Sequence, residues 1–433
     1  MNCNILIINA RLLENPGSGA ITAQGFVAVK GRMISQIGQM GNLPKDFKAD
    51  KIIDAAGCLV MPGLVNGHCH AAMTLFRGLA DDLPLMTWLN GHIFPAEAKY
   101  VSKDMVYWCS KLAAAEMILS GTTTVADGYF FEEEAARAFR EIGIRAVAAQ
   151  GIIDFPAPGV PDPAGNIEAA GNYIAAIPAD DLVTPALFCH SLYTCSPRTI
   201  QVAKQLADEC SCKLFIHVAE TRAEVKNHYK QYGITPIRHL QKLNILDKNT
   251  VCVHCVWLDA AEIAILAKTG CGVITCPESN MKLAAGVAPL ADMLAAGVTV
   301  GIGTDGCASN NDLDLLGEMA SLAKLHKVTS LEPTSMPAGT CLRLAGKEGA
   351  RALGFAGIGS LRPGMQADII TIDLNQPHLT PFYNPDILVY AASGADVKSS
   401  IIGGQLVLEN RRLLTIDLEE TMAKVRSLAR QLA

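Results

Sequence analysis

Five of the ten histidines in this 433-residue sequence lie at the ends of short apolar runs: His68, His70, His190, His217 and His254. His68 and His70 are two residues apart, so on a β-strand both imidazoles point to the same side. One strand could in this way supply two metal ligands. The same spacing also occurs in solvated or core-packed pairs, so the H-x-H motif alone does not decide between the two interpretations.

A third histidine and an aspartate extend the possible ligand set. His217 ends an apolar run within HVAE, and Asp305 ends another within GTDG. Three neutral imidazoles and one carboxylate suit a borderline divalent cation such as zinc, with a coordination position left for water. We therefore predict a divalent metal site with four ligands: His68, His70, His217 and Asp305.

Two more polar residues fall near this predicted site. Glu220 stands three residues after His217, so on a continuing strand the two side chains would face opposite ways. We predict that the chain leaves strand geometry around Ala219 and places the carboxylate beside the metal; a surface glutamate is the alternative. His254 ends the run TVCVHC. We predict a catalytic role for it, against the alternative of a core histidine bonded to a backbone carbonyl.

The positioning elements are eight short apolar runs separated by stretches with helical periodicity. The runs cover 58–70, 122–127, 144–153, 184–190, 213–220, 250–255, 271–276 and 298–305. Several helical stretches end at a glycine (Gly121, Gly143, Gly270), as helices often do. Near-continuous apolar runs joined by helices indicate parallel strands buried on both faces, and eight of them close a (β/α)8 barrel. Active sites of such barrels lie at the C-terminal ends of the strands, where the candidate residues fall.

Both ends of the chain have a different pattern, with short strands separated by turns. Strand-rich segments of this kind form small sheets rather than helical bundles. We predict an α/β fold in which residues 61–362 form the (β/α)8 TIM barrel. Residues 1–60 and 363–433, the latter closing with an amphipathic helix, form one small flanking β-sandwich domain.

Composition and charge exclude several classes of function. The net charge of −6 and the absence of a basic tract argue against nucleic-acid binding. The longest uncharged run, 55–76, contains glycines, a proline, an asparagine and two histidines, which are costly in a bilayer. The first residues lack a basic segment followed by a cleavable apolar core. We therefore expect a cytoplasmic protein that binds neither nucleic acid nor membrane.

The 14 cysteines are scattered through apolar stretches, as small core residues in a reducing compartment would be. Cys252 and Cys255 form a C-x-x-C motif around His254, which leaves a redox pair or zinc knuckle as an alternative. The surrounding sequence predicts a buried strand that points the two thiols to opposite faces, so core packing is favoured.

The combined motifs resemble those of the amidohydrolase superfamily over nearly the whole chain. PGLVNGHCH resembles its strand-one metal motif, HVAE its strand-five motif and GTDG its strand-eight motif, while LRPGMQADIITID resembles the return to the flanking domain. Strand four ends at His190, without the lysine that binuclear members use. The resemblance therefore implies the mononuclear branch and one divalent metal per chain, with Zn²⁺ favoured and Fe²⁺, Ni²⁺ or Mn²⁺ as alternatives.

The stretches 73–97, 190–197, 217–221, 254–258 and 303–319 are similar to the 5'-methylthioadenosine/S-adenosylhomocysteine deaminases. By this resemblance Glu97 would hold the ribose hydroxyls and His190 a purine ring nitrogen. Some relatives hold the homocysteine carboxylate with an arginine near strand three, but residues 150–159 contain none. The resemblance thus implies turnover of methylthioadenosine more securely than that of S-adenosylhomocysteine.

The expected reaction is hydrolytic deamination of the adenine ring to the inosyl product and ammonia. A divalent metal lowers the pKa of bound water from about 16 towards ~7. Asp305 would accept the proton, His254 would orient the hydroxide toward C6, and protonated Glu220 would donate to the adjacent ring nitrogen. Glu220 and Asp305 thus bind substrate as well as taking part in catalysis.

Alternative functions stay open at this point. Triazine or other heterocycle aminohydrolases and chlorohydrolases share much of the framework, and a binuclear cyclic-amide hydrolase of the dihydroorotase or hydantoinase type would hold two metals. A non-catalytic barrel is a third alternative, although such descendants tend to lose their ligands. The expected partner is a small nucleoside, and we expect a homo-oligomer.

Overall fold

The computed structural model describes residues 2–177 and 180–432. Its strands are β1 (Asn2–Leu12), β2 (Thr22–Lys30), β3 (Met33–Gln39), β4 (Lys48–Asp54), β5 (Cys58–Pro62), β6 (Leu64–Cys69), β7 (Thr122–Tyr129), β8 (Arg145–Ile152), β9 (Val183–Ser191), β10 (Leu214–Val218), β11 (Thr250–His254), β12 (Gly272–Thr275), β13 (Thr299–Ile302), β14 (Ile369–Asp373), β15 (Val397–Ile402), β16 (Gln405–Glu409) and β17 (Arg412–Leu413).

The α-helices alternate with the central strands and close the chain. They are α1 (Leu85–Trp88), α2 (Phe94–Tyr100), α3 (Lys103–Leu119), α4 (Glu132–Ile142), α5 (Asn166–Ala176), α6 (Pro197–Glu209), α7 (Arg222–Tyr232), α8 (Pro236–Lys242), α9 (Ala260–Thr269), α10 (Pro277–Lys282), α11 (Leu290–Ala295), α12 (Leu315–Ser330), α13 (Ala338–Arg343), α14 (Gly349–Leu353), α15 (Ile387–Tyr390) and α16 (Leu418–Ala429). No helix in the described ranges combines the length and apolar character needed to cross a membrane.

Strands β6 to β13 form an eight-stranded parallel sheet in chain order. β13 returns to the side of β6, where the amide of Asp305 donates to the carbonyl of His68 at 3.1 Å. Alternate side chains such as Val65, Phe188 and Phe215 fill the interior. The opposite faces pack under the helices, which explains why the strands appear in the sequence as continuous apolar runs. The predicted barrel is confirmed.

The flanking sheet joins both ends of the chain, as predicted. β1 to β5 and β14 to β17 form a nine-stranded sheet in which β5 pairs with β1 on one side and β14 on the other. The sequence run 58–70, predicted as one strand, is therefore two strands in different sheets. The chain changes sheets at Gly63, where a Cβ atom would lie 2.1 Å from the side chain of Thr123, so only glycine allows this close approach.

Candidate metal centre and active site

The four predicted metal ligands meet at the C-terminal mouth of the barrel, where they are buried and their ligand atoms lie within 4.8 Å of one another. His68 Nε2 is 3.1 Å from His217 Nε2 and 3.5 Å from Asp305 Oδ1. His70 Nε2 is 3.3 Å from the same oxygen. Donor atoms bound to a tetrahedral ion at the usual zinc distances would be about 3.3 Å apart. The donor set and its spacing thus fit a divalent metal.

Local structure directs these side chains inward. His68 lies on β6 and His70 directly follows the strand, and both rings face the same centre, as their spacing predicts. The ring of His70 is oriented by a hydrogen bond from its Nδ1 to the carbonyl of Gly128, 2.6 Å away, which leaves Nε2 facing the centre. Gly303 allows β13 to approach β6, because a Cβ atom there would lie 2.7 Å from the amide nitrogen of His68. Asp305 then turns inward with a φ of 61°.

Burial and charge set the protonation states that metal binding needs. Burial lowers the pKa of His68 to about 4 and that of His217 well below its usual range, so both rings are neutral. Burial alone would raise the pKa of Asp305, but the hydrogen bond with His68 and the nearby imidazoles bring it well below its usual range. Neutral imidazoles and an ionised carboxylate are the forms that bind divalent metals.

Glu220 and His254 lie beside this centre. β10 ends at Val218, and Ala219 has a φ of 53°, which confirms the predicted departure from strand geometry. Glu220 is buried, and its Oε1 lies 3.9 Å from His254 Nε2. Burial, followed by the charge of Asp305, raises the pKa of Glu220 to about 8. The side chain is therefore protonated near neutral pH and can act as an acid.

His254 reaches the site because β11 ends in two left-handed residues, His254 with a φ of 72° and Cys255 with a φ of 49°. Asn280 Oδ1 accepts a hydrogen bond from His254 Nδ1 at 3.0 Å. The proton of the ring is therefore on Nδ1, and Nε2 is free to accept a hydrogen bond. The same turn puts Cys255 in one apolar cluster with Cys252, where the hydrogen bond with Cys255 raises the Cys252 pKa. The expectation that these thiols lie on opposite faces is wrong, but core packing is correct, since both are buried and free.

A cavity of about 250 Å³ adjoins the centre and is lined by two of the four predicted substrate-binding residues, Glu97 and His190. Glu97, on α2, accepts a hydrogen bond from Tyr129 Oη at 2.6 Å, and burial raises its pKa to about 7. His190 Nδ1 is 3.0 Å from Thr194 Oγ1, and burial lowers the pKa of this histidine to about 3. The remaining wall is mostly apolar and includes Leu89, Ile93, Phe94, Ile153, Phe155 and Pro156.

A smaller cavity shares His70, Met73, Leu89 and His190 with the first. Its lining adds the groups of the metal centre and its neighbours: His217, Glu220, His254 and Asp305. The apolar wall and the predicted reacting groups thus lie on either side of these shared residues.

Several supporting residues were not predicted from the sequence. Ser279 and Ser309 donate to Asp305 Oδ2 at 2.7 and 3.1 Å, and Asn280 holds His254. Ser279 and Asn280 closely follow strand β12, so the same rule about strand ends would have found them. Tyr129, at the end of β7, could have been found in the same way.

The other five histidines do not join the site. His228 and His239 pair with each other at 2.9 Å, and His378 pairs with Asp396. His92 is exposed, and His326 is buried on α12. These five histidines thus occupy surface or packing positions.

Residues 59–407 match the model of the Amidohydrolase family. The chain belongs to this family of hydrolases.

Within the family, similar proteins share one name. The chain is 47% identical over 429 residues to the 5-methylthioadenosine/S-adenosylhomocysteine deaminase of Syntrophobacter fumaroxidans, covering 99% of this chain and 98% of that one. It is 46% identical to 5-methylthioadenosine/S-adenosylhomocysteine deaminase 1 of Syntrophus aciditrophicus, covering 99% and 97%.

Solved structures agree on the fold. An adenosine deaminase from Xanthomonas campestris with bound zinc is 35% identical, with a TM-score of 0.97 over 100% of this chain and 99% of that one. The atrazine chlorohydrolase TrzN from Arthrobacter aurescens, complexed with zinc, has a TM-score of 0.90 at 24% identity over 98% of this chain and 100% of that one, a likeness that shows the fold alone.

Proposed function

We propose that the chain is a hydrolytic deaminase of the adenine ring, acting on 5'-methylthioadenosine and S-adenosylhomocysteine and releasing ammonia. The observation that carries this function is the buried acid Glu220 beside His254 and Asp305, in a small cavity that adjoins the mostly apolar cavity of about 250 Å³. The names of the relatives at up to 47% identity support the same substrates.

The donor set would hold one divalent cation, with zinc favoured. When bound, such a cation lowers the pKa of a water molecule from about 16 towards ~7. Within the described residues, the group with the spacing to hold a metal has four side chains, a number that suits a single ion, and this favours deamination over binuclear cyclic-amide hydrolysis.

Three side chains have separate roles in the proposed reaction. Asp305 is ionised and accepts the proton that the attacking water loses. His254 orients this water through its free Nε2, because Asn280 fixes the opposite ring nitrogen. Glu220 donates its proton to the ring nitrogen next to C6, so negative charge does not accumulate on the purine when aromaticity is broken. Asp305 then returns its proton to the amino group, which leaves as ammonia. The proton of the new C6 hydroxyl group passes to Glu220, and the inosyl product remains.

The cavity supports a finer assignment of substrate. Glu97 at its polar side would hold the ribose hydroxyls, and His190 would hold a purine nitrogen. Of the described residues that line the cavity, none is an arginine or lysine. An apolar wall of this kind accommodates a methylthio group, whereas the charged homocysteine of S-adenosylhomocysteine would be desolvated without a partner.

We expect kcat/KM to be higher for methylthioadenosine than for S-adenosylhomocysteine. A panel of methylthioadenosine, S-adenosylhomocysteine, adenosine, guanine, cytosine and a melamine-type triazine, scored by ammonia release, tests both the reaction and the preference. Ammonia from the triazine alone would transfer the assignment to the heterocycle hydrolases. Equal kcat/KM for the first two nucleosides would remove the apolar wall as the source of specificity.

We also expect kcat to fall as the pH rises through about 8. Glu220 must carry its proton to act as the acid, and burial with the charge of Asp305 raises its pKa to about 8. The protonated, active form therefore dominates below that pH and is lost above it. A profile of kcat against pH at saturating methylthioadenosine measures this limb; a flat profile through pH 10 would argue against an acid at this position.

We further propose a cytoplasmic location and a homo-oligomer. The 14 cysteines are all free, which supports a reducing compartment. Cell fractionation and sedimentation velocity test the two proposals separately.

A further inference from the structure

The turn after β10 holds an unfavourable backbone conformation. Ala219 has a φ of 53°, in the left-handed region that alanine rarely adopts. This conformation directs the next side chain, Glu220, into the site. The surrounding structure must therefore hold the turn in place.

Glu224, in the first turn of α7, supplies that hold. Its Oε1 accepts a hydrogen bond from the amide of Ala219 at 2.9 Å, and its Oε2 accepts one from the amide of Glu220 at 2.8 Å. One carboxylate thus binds the two amides that flank the strained residue. Burial and the nearby Glu220 raise the pKa of Glu224 to about 7, while the hydrogen bonds from these amides act in the opposite direction, because they favour the ionised carboxylate.

The carbonyl group of Ala219 is hydrogen-bonded to the turn that carries His254. The carbonyl of Ala219 accepts hydrogen bonds from the amides of Val256 at 3.0 Å and Trp257 at 2.9 Å. This carbonyl and the amide of Glu220 belong to one planar peptide unit. Glu224 holds the amide end of this peptide unit, and the turn after β11 holds its carbonyl end. The orientation of the peptide is therefore fixed from both sides, next to the side chains of Glu220 and His254.

We propose that Glu224 is a positioning residue, which orients Glu220 directly and His254 through the shared peptide. The inference rests on the deamination proposed above. Capping of α7 is the simpler role for a glutamate here, but Thr221 already caps the helix, with Oγ1 accepting from the amide of Glu224 at 3.1 Å. The Glu224 carboxylate is instead bonded to the two amides of the preceding turn.

Two matched variants separate positioning from capping. Glu224→Gln keeps the size of the side chain but places an NH₂ group against one of the two amides. Thr221→Ala removes the helix cap and leaves the carboxylate. We expect Glu224→Gln to lower kcat by about 100-fold, the cost of a small displacement of reacting groups. KM and metal content should stay close to those of the wild type. We expect Thr221→Ala to keep kcat near wild type, even if its melting temperature falls.

Amide hydrogen exchange gives a second readout that does not depend on turnover. In Glu224→Gln the amides of Ala219, Glu220, Val256 and Trp257 should exchange faster, and in Thr221→Ala they should not. Wild-type kcat and unchanged exchange in Glu224→Gln would overturn the proposal, as would an equal loss of kcat in both variants. If the wild type deaminated no nucleoside while the exchange pattern held, the positioning would stand and the reaction assigned to these side chains would fall.

Discussion

Glu220→Gln is expected to lose nearly all kcat for deamination while keeping its metal. The glutamine amide has no acidic proton to give to the purine ring, and general acid–base assistance is typically worth about 10²–10⁴ in rate. Glu220 lies outside the group of four ligand atoms, so its replacement leaves the donor set intact. Steady-state ammonia release, with metal content measured on the same preparation by mass spectrometry, gives both quantities.

Glu209→Gln is a matched control, because Glu209 is an exposed carboxylate at the end of α6. It should keep the kcat of the wild type. Full activity in Glu220→Gln would remove Glu220 from the mechanism, and loss of metal in this variant would show that its carboxylate belongs to the donor set.

His217→Ala is expected to lose both metal and activity. His217 lies on β10, and its Nε2 is 3.1 Å from that of His68, so its removal takes one of the four donor atoms from the predicted site. Even groups that only orient a ligand contribute about 10–100-fold to metal affinity, and a ligand itself should contribute more. Metal content after dialysis against a chelator measures the loss.

His92→Ala is the control for this variant, since His92 is exposed and lies outside the predicted site. It should retain the metal and the kcat of the wild type. Stoichiometric metal in dialysed His217→Ala would mean that the ligand set is wrong.

The barrel and the clustering of the four candidate ligands could be predicted because they depend on local patterns. Strands buried on both faces appear as apolar runs, and the rule that active sites lie at strand ends singled out His68, His70, His217 and Asp305. The two-residue spacing of His68 and His70 fixes their common side on any strand. The end of the strand at Ala219 could be predicted, because Glu220 can face the same way as His217 only if the chain leaves strand geometry between them.

The features that sequence reasoning missed depend on contacts between distant segments. Cys255 takes a left-handed φ in a turn whose amides bond to the carbonyls of the β10 turn, and no local signal marks this. Glu97 is held by Tyr129, 32 residues later in the chain. The run 58–70 has continuous apolar character because both of its strands are buried, so hydropathy could not show that they belong to different sheets.

Zinc-edge anomalous diffraction from crystals of the purified protein would locate the metal itself. We predict one peak per chain, within about 2.0–2.2 Å of nitrogen atoms of His68, His70 and His217 and of an oxygen of Asp305. Two peaks bridged at the barrel mouth, or a single peak held by other side chains, would rule out the mononuclear centre on which the proposed deamination depends.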